Sequence, residues 1–460
     1  MSDVITVDPA TGAELARYAG LDAAGIDSAL ADAARAQAAW AGVPVADRVG
    51  PLRELARLLR EEAEEHARLI SQEMGKPITE ALAEVRKCAL TCDYYAEHAE
   101  QFLATQLVDT EASASFVTYE PLGVVLAVMP WNFPYWQVIR FAAPTLAAGN
   151  GGLLKHASNV TGCAIAIADV IRRSGFPEGL FQTLVLTGHG QVDEIIADPR
   201  VAAVTLTGSE GAGASVAAAA GRALKKTVLE LGGSDPFVVL DDADIEKVAP
   251  LAIRARFVNT GQSCLCAKRF PVEAGVADEF ERLVGDLARA LRIGDPLDPS
   301  TQIGPLAKPS FVDDIDRQVQ ESVAMGARVV AGGHRIDGPG NYYAPTVLAD
   351  VTPDMPVFRE ETFGPVMAIV RADDAAHAIE LADDTRYGLA ASVWTADMER
   401  GLALGRGIRS GALFINSVVV SDPRLPFGGV KLSGYGRELS REGMLEFMNV
   451  RAVWAMRTVA

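Results

Sequence analysis

The fold class is decided by residues 201–231, which read VAAVTLTGSEGAGASVAAAAGRALKKTVLEL. The apolar run Val201–Thr207 has the length of a strand and leads through a glycine-containing turn into an alanine-rich segment typical of a helix. A second apolar run follows at 227–231. A strand, a crossover helix and another strand predict two parallel strands of an α/β sheet, whose ligands bind beyond the carboxyl ends of its strands.

The same alternation extends to both sides of this unit. Earlier strands are predicted at Val124–Met129, 152–154 and 182–186, with helices at 160–174 and 190–198. After Asp241 helices are predicted at 245–258, 277–291 and 311–325, with a strand at 328–330. These later elements predict a second α/β domain.

Two kinds of segment lie outside this alternation. Residues 46–74 read as one long helix that stops at Gly75-Lys76-Pro77, and a second helix runs from Ile78 past Tyr95. Residues 111–120 and 449–459 read as exposed ribbons that need a partner, which is a common route to oligomers.

Composition narrows the class of protein. The 460 residues carry 42 basic and 60 acidic side chains, a net charge of −18, and 49% are apolar. This balance excludes whole-protein attraction to nucleic acid or to an anionic membrane, so neither is expected as a partner. The amino terminus lacks the pattern of a signal peptide, and no apolar run reaches the roughly 18 residues of a membrane span.

Cysteine usage indicates a reducing compartment. The five cysteines are few and odd in number, which argues against a disulfide framework and for the cytoplasm. None of the six histidines stands at metal-ligand spacing from a cysteine, so no metal site is expected.

The segment FVNTGQSCLC (257–266) carries a candidate nucleophile. Cys264 follows a glycine-containing turn, in which the backbone can bend and expose a thiol. Asn132, between two prolines after the strand Val124–Met129, is a rigidly placed amide donor that can stabilise an oxyanion. Glu230 ends another strand among apolar neighbours, where a carboxylate can have a raised pKa and act as a general base.

Cofactor signals are indirect, because no GxGxxG motif follows the early strands. The turn that contains Gly208, Ser209 and Gly213 instead opens the alanine-rich helix, and small residues there leave N–H groups free for a pyrophosphate. Lys155 lies just beyond a predicted strand, where a ribose can be held.

Seven motifs in order resemble the aldehyde dehydrogenase superfamily over essentially the whole chain. They are PWNFP (130–134), Lys155, TGS (207–209), LELGG (229–233), NTGQSC (259–264), EETFGP (360–365) and PFGGVKLSGYGRE (426–438). The resemblance implies an aldehyde dehydrogenase-like α/β fold in three parts. These are a Rossmann-type nucleotide domain (1–105 and 123–234), an α/β catalytic domain (235–432) and a small β oligomerisation domain (106–122 and 445–460) that builds homodimers or homotetramers.

Residue roles follow from the resemblance position by position. Cys264 is implied as the nucleophile, Asn132 as the oxyanion donor and Glu230 as the base that activates the hydrolytic water. Cofactor contacts are implied for Trp131, Lys155, Ser158, Gly208, Ser209, Gly213, Glu361 and Phe363. The reaction implied is oxidation of an aldehyde to a carboxylic acid through a thiohemiacetal and a thioester on Cys264.

Ser158 bears on the choice of nucleotide. Members that prefer NAD often carry a glutamate at this position, which repels a 2′-phosphate, whereas a serine can donate a hydrogen bond to it. The resemblance therefore implies NADP as the preferred cofactor, with NAD as the alternative.

Within the superfamily the sequence is most similar to bacterial succinate-semialdehyde dehydrogenases. Arg140, in the helix after PWNFP, is implied to meet the substrate carboxylate, with Ser421 as a hydroxyl donor. Val258 departs from the pattern, because many relatives carry a second arginine there. Glutarate semialdehyde or an apolar or aromatic aldehyde stays open as the substrate, with Tyr135 and Trp136 as candidate tunnel residues.

Two further hypotheses rest on cysteine chemistry. A cysteine hydrolase or acyltransferase would also use an activated thiolate, but normally with a histidine base. Cys266, two residues after Cys264, lies near the upper limit of disulfide geometry in an extended chain and within range in a bent one. The spacing predicts a reversible disulfide that protects the nucleophile from irreversible oxidation.

Overall fold

The computed structural model describes residues 3–457, apart from the side chain of His189. Its helices are α1 (Ala23–Ala41), α2 (Val45–Glu61), α3 (Ala63–Met74), α4 (Ile78–Phe102), α5 (Trp136–Ala147), α6 (Thr161–Arg173), α7 (His189–Ala197), α8 (Glu210–Arg222), α9 (Ile245–Phe257), α10 (Ala274–Arg289), α11 (Pro309–Ala324), α12 (Pro356–Arg359), α13 (Ala375–Asp383), α14 (Met398–Gly405) and α15 (Ser440–Leu445). None of these helices is both long and apolar enough to cross a bilayer.

The strands follow the same chain order. They are β1 (Asp3–Val7), β2 (Glu14–Ala19), β3 (Gln106–Leu107), β4 (Ala114–Pro121), β5 (Val124–Met129), β6 (Gly151–His156), β7 (Phe181–Thr183), β8 (Val201–Thr207), β9 (Lys226–Glu230), β10 (Asp235–Val239), β11 (Ala267–Glu273), β12 (Arg328–Ala331), β13 (Thr346–Ala349), β14 (Val366–Ala372), β15 (Tyr387–Gly388), β16 (Ala390–Trp394), β17 (Ala412–Ile415), β18 (Val430–Lys431), β19 (Gly434–Tyr435) and β20 (Met448–Ala455).

The first large sheet is doubly wound. Its strand order is β19-β9-β8-β5-β6-β7, and its strands are parallel except for β19. Both faces are covered: Val125 and Ala127 pack in the core that holds α2–α6, whereas Leu126 packs with residues of α1, α7 and α8. The order reverses at β5, so a ligand crevice is expected beyond its carboxyl end.

A second sheet of order β12-β13-β14-β11-β10-β16-β17 is parallel except for β12. Phe237 and Val239 face a core shared with α9 and α10, and Val238 faces one shared with α11 and α13. The chain leaves β9 at Glu230 and enters β10 at Asp235. The carboxyl edge of the first sheet therefore lies next to the amino edge of the second.

The two predicted ribbons pair with each other. Strand β4 pairs antiparallel with β20 from Ala114↔Ala455 to Pro121↔Met448, and β3 adds to the other side of β4. Residues 458–460, at the end of the predicted oligomerisation segment, and residues 1–2 lie outside the described part of the chain. The functional roles of the three parts stay predictions.

Most predicted elements are confirmed, with two corrections. The long helix expected at 46–74 is broken at Glu62 into α2 and α3, although it ends as predicted, with Gly75 in the left-handed conformation at φ 80°. The strand expected at 182–186 is the shorter β7. Hydrophobic periodicity continued through Glu62, so the pattern alone did not reveal the break.

Candidate active site

The candidate nucleophile lies at a cavity of about 660 Å³. Cys264 is partly exposed and lines this cavity together with residues of α4, α5 and α9 and of the segments 301–303 and 418–421. Much of the lining is apolar: Phe133, Trp136, Phe257, Ile303, Val418, Val419 and Val420. Such a mainly apolar pocket with a few polar groups is typical of a small-molecule site.

The loop before Cys264 has an unusual backbone. Asn259 and Thr260 both have φ 54°, and Gly261 has φ 75°. A Cβ atom on Gly261 would lie 2.2 Å from the carbonyl oxygen of Gly364, so only glycine fits there. The half-buried Glu80 accepts the Asn259 N–H at 2.6 Å, which ties the loop to α4.

Asn132 lies beside this loop, as an oxyanion donor requires. Its Nδ2 donates to the carbonyl of Gln262 at 3.0 Å, and its Oδ1 accepts from Gln137 Nε2 at 3.0 Å. An amide nitrogen carries two hydrogens, so a second donor remains. Asn132 is buried and is not among the residues that line the cavity.

The Cys264 thiol is held in its neutral form by its surroundings. Burial raises its pKa to about 12, and the charges of Lys268 and Arg140 oppose that rise. Lys268 Nζ donates to the carbonyls of Ser263 and Cys264, each at 2.9 Å. Lys268 therefore both orients the loop and favours the thiolate.

Glu230 is buried at the end of β9. Neither of its carboxylate oxygens has a hydrogen-bond partner among residues 3–457. Burial, and then the nearby Glu438, raise the pKa of Glu230 well above its usual value, while Arg140 and Arg437 act in the opposite direction. It is thus a carboxyl group of raised pKa, as the sequence predicted, although it is not among the residues that line the cavity.

Arg140 and Ser421 both line the cavity, as their predicted role requires. Arg140 is buried and forms an ion pair with Glu438, and its guanidinium lies 4.6 Å from the ring centroid of Phe427. The ion pair with Glu438 was not predicted from the sequence. Ser421 accepts a hydrogen bond from Lys87 Nζ at 2.6 Å.

The predicted cofactor turn lies at the carboxyl end of β8. Ser209 caps α8 by accepting the Ala212 N–H at 3.4 Å, and Gly208 N–H donates to the Glu230 carbonyl at 3.0 Å. A Cβ on Gly213 would lie 2.6 Å from Leu231, so the glycine permits close packing of α8 on the chain after β9. The helix amino terminus thereby faces the crevice beyond the sheet.

Lys155 is the fifth residue of β6, and Ser158 is exposed three residues later. Burial lowers the pKa of Lys155, and Lys308 lowers it further. Neither lysine forms an ion pair within residues 3–457. Two lysines without a carboxylate partner suit the phosphate of a nucleotide.

Glu361 and Phe363 lie near the loop of Cys264. Glu361 Oε1 accepts the Gly233 N–H at 2.9 Å and lies 3.4 Å from Lys268 Nζ. Phe363 meets Trp131 edge-to-face with ring centroids 5.8 Å apart. Trp131 also stacks on Phe311 at 4.8 Å, which joins the PWNFP turn to α11.

Comparison with known proteins decides the family, because the model of the aldehyde dehydrogenase family matches residues 2–453. The chain belongs to the aldehyde dehydrogenase family. It is 51% identical over 451 residues to a probable succinate-semialdehyde dehydrogenase [NADP(+)] of Synechocystis. This alignment covers 98% of this chain and 99% of that protein. It is 48% identical over 453 residues to the succinate semialdehyde dehydrogenase [NAD(P)+] Sad of Escherichia coli, with 98% of each chain covered.

Solved structures agree with this family. The succinic semialdehyde dehydrogenase of Streptococcus pyogenes, in complex with NADP+, superposes with a TM-score of 0.96 at 38% identity over 99% of this chain and 100% of that one. A structure of Gox0499 gives a TM-score of 0.96 at 39% identity over 98% of this chain and 99% of that one.

Several residues of this aldehyde dehydrogenase site escaped the sequence reasoning. They are Glu80, Lys87, Lys268, Lys308 and Glu438. Glu438 ends the motif PFGGVKLSGYGRE, but that motif gave it no separate role. The other four lie far along the chain from the groups they contact or are ordinary charged residues, so no local pattern marks them.

The expectation for Tyr135 as a tunnel residue is wrong. Its side chain is fully buried, and its hydroxyl contacts His66 Nδ1 at 2.8 Å. Trp136 does line the cavity. Because Tyr135 and Trp136 are adjacent at the start of α5, they point in different directions, and only one can face the cavity.

Proposed function

We propose that this aldehyde dehydrogenase oxidises succinate semialdehyde to succinate, with NADP+ as the preferred acceptor and NAD+ as the alternative. The observation that carries the proposal is that Cys264, Arg140 and Ser421 line one cavity. A nucleophile and a carboxylate-binding pair in one cavity match an aldehyde with an acid at its other end. The names of the relatives from Synechocystis and Escherichia coli support the same substrate.

In the first half of the reaction, the Cys264 sulfur adds to the aldehyde carbon. The Cys264 backbone N–H and the second amide hydrogen of Asn132 stabilise the oxyanion that forms. Lys268, bound to the Cys264 carbonyl, favours the thiolate that makes the attack. When bound, NADP+ supplies the hydride acceptor with which the adduct becomes a thioester.

In the second half, water hydrolyses the thioester. Glu230 takes a proton from that water, the new C–O bond forms, and the Cys264 thiolate leaves. A base whose pKa lies above the usual carboxyl value accepts this proton more readily than an ordinary carboxylate. The Arg140 charge counteracts part of that rise and helps Glu230 to ionise.

The nucleotide site is proposed beyond the first sheet. The residues present fit a dinucleotide, because the α8 amino terminus faces the crevice and the unpaired Lys155 and Lys308 lie near each other. Exposed Ser158 leaves room beside the adenine ribose for a 2′-phosphate. Glu361, Phe363 and Trp131 are proposed to hold the nicotinamide end.

The apolar lining favours a second candidate substrate. Phe133, Trp136 and Val420 would suit an apolar or aromatic aldehyde, and the longer glutarate semialdehyde fits the same charge pattern. A cysteine hydrolase is disfavoured because no histidine in the described part of the chain lines the cavity.

Assembly and location complete the proposal. The sheet of β3, β4 and β20 leaves Val450 (59% exposed), Trp454 (58%) and Leu107 (86%) in solvent, which supports a homodimer or homotetramer. All five cysteines are free, which supports a reducing cytoplasm.

The test is a screen of the purified chain against four aldehydes, each with NADP+ and with NAD+. Succinate semialdehyde, glutarate semialdehyde, butanal and benzaldehyde separate the candidates. We expect the highest kcat/KM with succinate semialdehyde and NADP+.

Cys264→Ala should abolish turnover and keep nucleotide binding, whereas Cys92→Ala, a buried cysteine of α4, should remain active. Ester hydrolysis without nucleotide reduction would overturn the proposal.

A further inference from the structure

A second cation faces the cavity that holds Cys264. Lys87, on α4, lines the cavity together with Arg140 and Ser421. Its Nζ donates to Ser421 Oγ at 2.6 Å and lies 3.9 Å from the ring centroid of Trp136. Two independent elements, α5 and the segment 418–421, therefore fix where the ammonium points.

Among the buried and half-buried cations that line this cavity within residues 3–457, Lys87 is the one whose charge is not matched by a carboxylate. The charged groups around it are already paired: Arg140 with Glu438, Glu84 with Lys76, and Asp422 with Arg424. Lys87 itself forms no ion pair within residues 3–457. Val258, which also lines the cavity, brings no charge. A partly buried ammonium beside apolar walls attracts an anion more strongly than an exposed one does.

We propose that Lys87, together with the Ser421 hydroxyl, binds the carboxylate of the ω-carboxyl aldehyde and so determines substrate specificity. This inference rests on the proposed function and adds a residue to it. Because the charge of Arg140 is matched by Glu438, Arg140 then contributes hydrogen-bond donors to the carboxylate site but little net charge.

The free hydrogen-bond donors of Lys87 and Ser421 suit the binding of a carboxylate. An ammonium has three donors, of which one is used by Ser421. Because Ser421 accepts from Lys87, its own hydroxyl hydrogen remains to be donated. One carboxylate can thus receive a charge-assisted bond from Lys87 and a second bond from Ser421, with its carbon chain against Trp136.

The test compares succinate semialdehyde with butanal, which has the same chain length and no carboxylate. Lys87→Met keeps an apolar stem against Trp136 and removes the charge. We expect KM for succinate semialdehyde to rise about ten- to a hundredfold, with kcat and all constants for butanal nearly unchanged. Lys87→Arg should recover much of the lost affinity.

A matched control is Arg254→Gln. Arg254 is an exposed cation at the same cavity, so its removal tests whether any nearby positive charge has the same effect. We expect its effect on the ratio of the two KM values to be less than about threefold, because exposed charges are screened.

The pH profile gives a second readout. Burial lowers the pKa of Lys87 to about 8; Arg140 lowers it too, while Cys88, Glu84 and Asp422 raise it. The ammonium form exists below this pKa, so KM for succinate semialdehyde relative to butanal should rise as the pH increases through about 8. In Lys87→Arg this rise should vanish, because a guanidinium stays charged.

The outcomes separate the two proposals. If the wild type shows no preference for succinate semialdehyde over butanal, the proposed substrate fails. If the wild type has that preference and Lys87→Met retains it, Lys87 is not the carboxylate site. Equal losses on both aldehydes in Lys87→Met, or a flat wild-type pH profile of the KM ratio, would also overturn the assignment.

Discussion

Single side chains in this enzyme derive their chemistry from what surrounds them. Glu230 would be an ordinary carboxylate in water, but burial without a hydrogen-bond partner in the described part of the chain raises its pKa. Arg140 pairs with Glu438, lines the cavity and lowers the pKa of Glu230, so its charge acts on both carboxyl groups. Substitutions at such positions should therefore change one reaction step rather than the whole fold.

Glu230→Gln keeps the shape of the side chain and removes its ability to accept a proton. We expect a burst of NADPH about equal to the enzyme concentration, followed by a steady state slowed about 10²- to 10⁴-fold. Stopped-flow absorbance measures both phases. Glu64→Gln, an exposed glutamate of α3, is the control and should behave like the wild type. Equal loss of both phases would remove Glu230 from the hydrolytic step.

Ser158→Glu places a carboxylate where the 2′-phosphate of NADP+ is proposed to bind. Repulsion should weaken the binding of NADP+ relative to NAD+ by ~1–3 kcal/mol, or roughly five- to 150-fold. The measurement is the ratio of kcat/KM for the two nucleotides. Ser28→Glu, at an exposed position of α1, controls for added charge. An unchanged ratio would show that the discriminating contact lies elsewhere.

Cys266 leads to a prediction about the oxidation of Cys264, the proposed nucleophile. Its side chain is buried, and its Sγ donates to the Val258 carbonyl at 3.6 Å. Peroxide oxidises the Cys264 thiolate to a sulfenic acid, and attack by the Cys266 thiol then forms the S–S bond and releases water. The disulfide contains two hydrogens fewer than the two thiols.

The expected result is inactivation by peroxide that dithiothreitol reverses in the wild type but only partly in Cys266→Ala. Mass spectrometry of the peptide with both cysteines should show the loss of two hydrogens. Cys163→Ala, a buried cysteine of α6, is the control and should recover like the wild type. Equal recovery of Cys266→Ala and wild type contradicts the switch.

At the scale of elements, the short segment 258–264 determines where Cys264, the proposed nucleophile, lies. It has three successive residues of positive φ, 259–261, and its shape is maintained from outside by Glu80, Lys268 and Gly364. Left-handed conformations at Asn259 and Thr260 cost free energy, which the contacts with α4 and β11 offset. The position of Cys264 thus depends on elements distant in sequence.

Gly261→Ala should displace this loop. The new Cβ would meet the Gly364 carbonyl oxygen at 2.2 Å, so the backbone must shift. We expect kcat to fall about tenfold or more and the melting temperature to decrease, as measured by steady-state kinetics and calorimetry. Gly12→Ala has a similar φ of 77° but no atom within 4 Å of the Cβ, and it should keep full activity. Full activity of Gly261→Ala would contradict the close contact.

Across the whole molecule, residues 231–234 join the two large sheets end to end, and β3, β4 and β20 form a separate third sheet. The site lies where the carboxyl edge of the first sheet faces the start of the second, so it needs both. In the third sheet Val450 and Trp454 are four residues apart on β20 and therefore lie on one face. An exposed apolar face of this kind is typical of an interaction surface.

Introducing charge on that face should weaken assembly. We expect Val450→Glu combined with Trp454→Glu to lower the molar mass in solution, measured by light scattering after size-exclusion chromatography. Met398→Glu is a matched control, because Met398 is 61% exposed on α14 in another part of the chain. An unchanged oligomeric mass in the double variant would place the interface elsewhere.

Much of the fold was predictable because its signals are local. Hydrophobic runs marked β5, β8 and β9, and the glycine after α3 marked its end. The helix break at Glu62 was not predicted because the apolar spacing continues through it. The strand expected at 182–186 was predicted too long because apolar residues continue beyond the end of β7. The ribbons were recognised, but their pairing with each other depends on a contact between distant segments.

The candidate catalytic residues could also be predicted from local signals, because Cys264, Glu230 and Asn132 each stand in a short motif next to a strand or turn. Their proposed roles rest on that motif order. The contacts around them could not be predicted from the sequence. The contacts of Glu438, Lys268, Lys87 and Glu80 form only when the chain folds.

The sequence by itself determined the α/β class, the family and the candidate nucleophile, because these depend on periodicity and on motifs within a few residues. Only the tertiary structure decided which charges are paired and which are free. Arg140 meets Glu438 and Lys87 meets Ser421 across roughly three hundred residues of chain, and sequence spacing says nothing about such contacts. The physical reason is that pKa values and specificity depend on burial and on neighbouring charges, which exist only in the folded state.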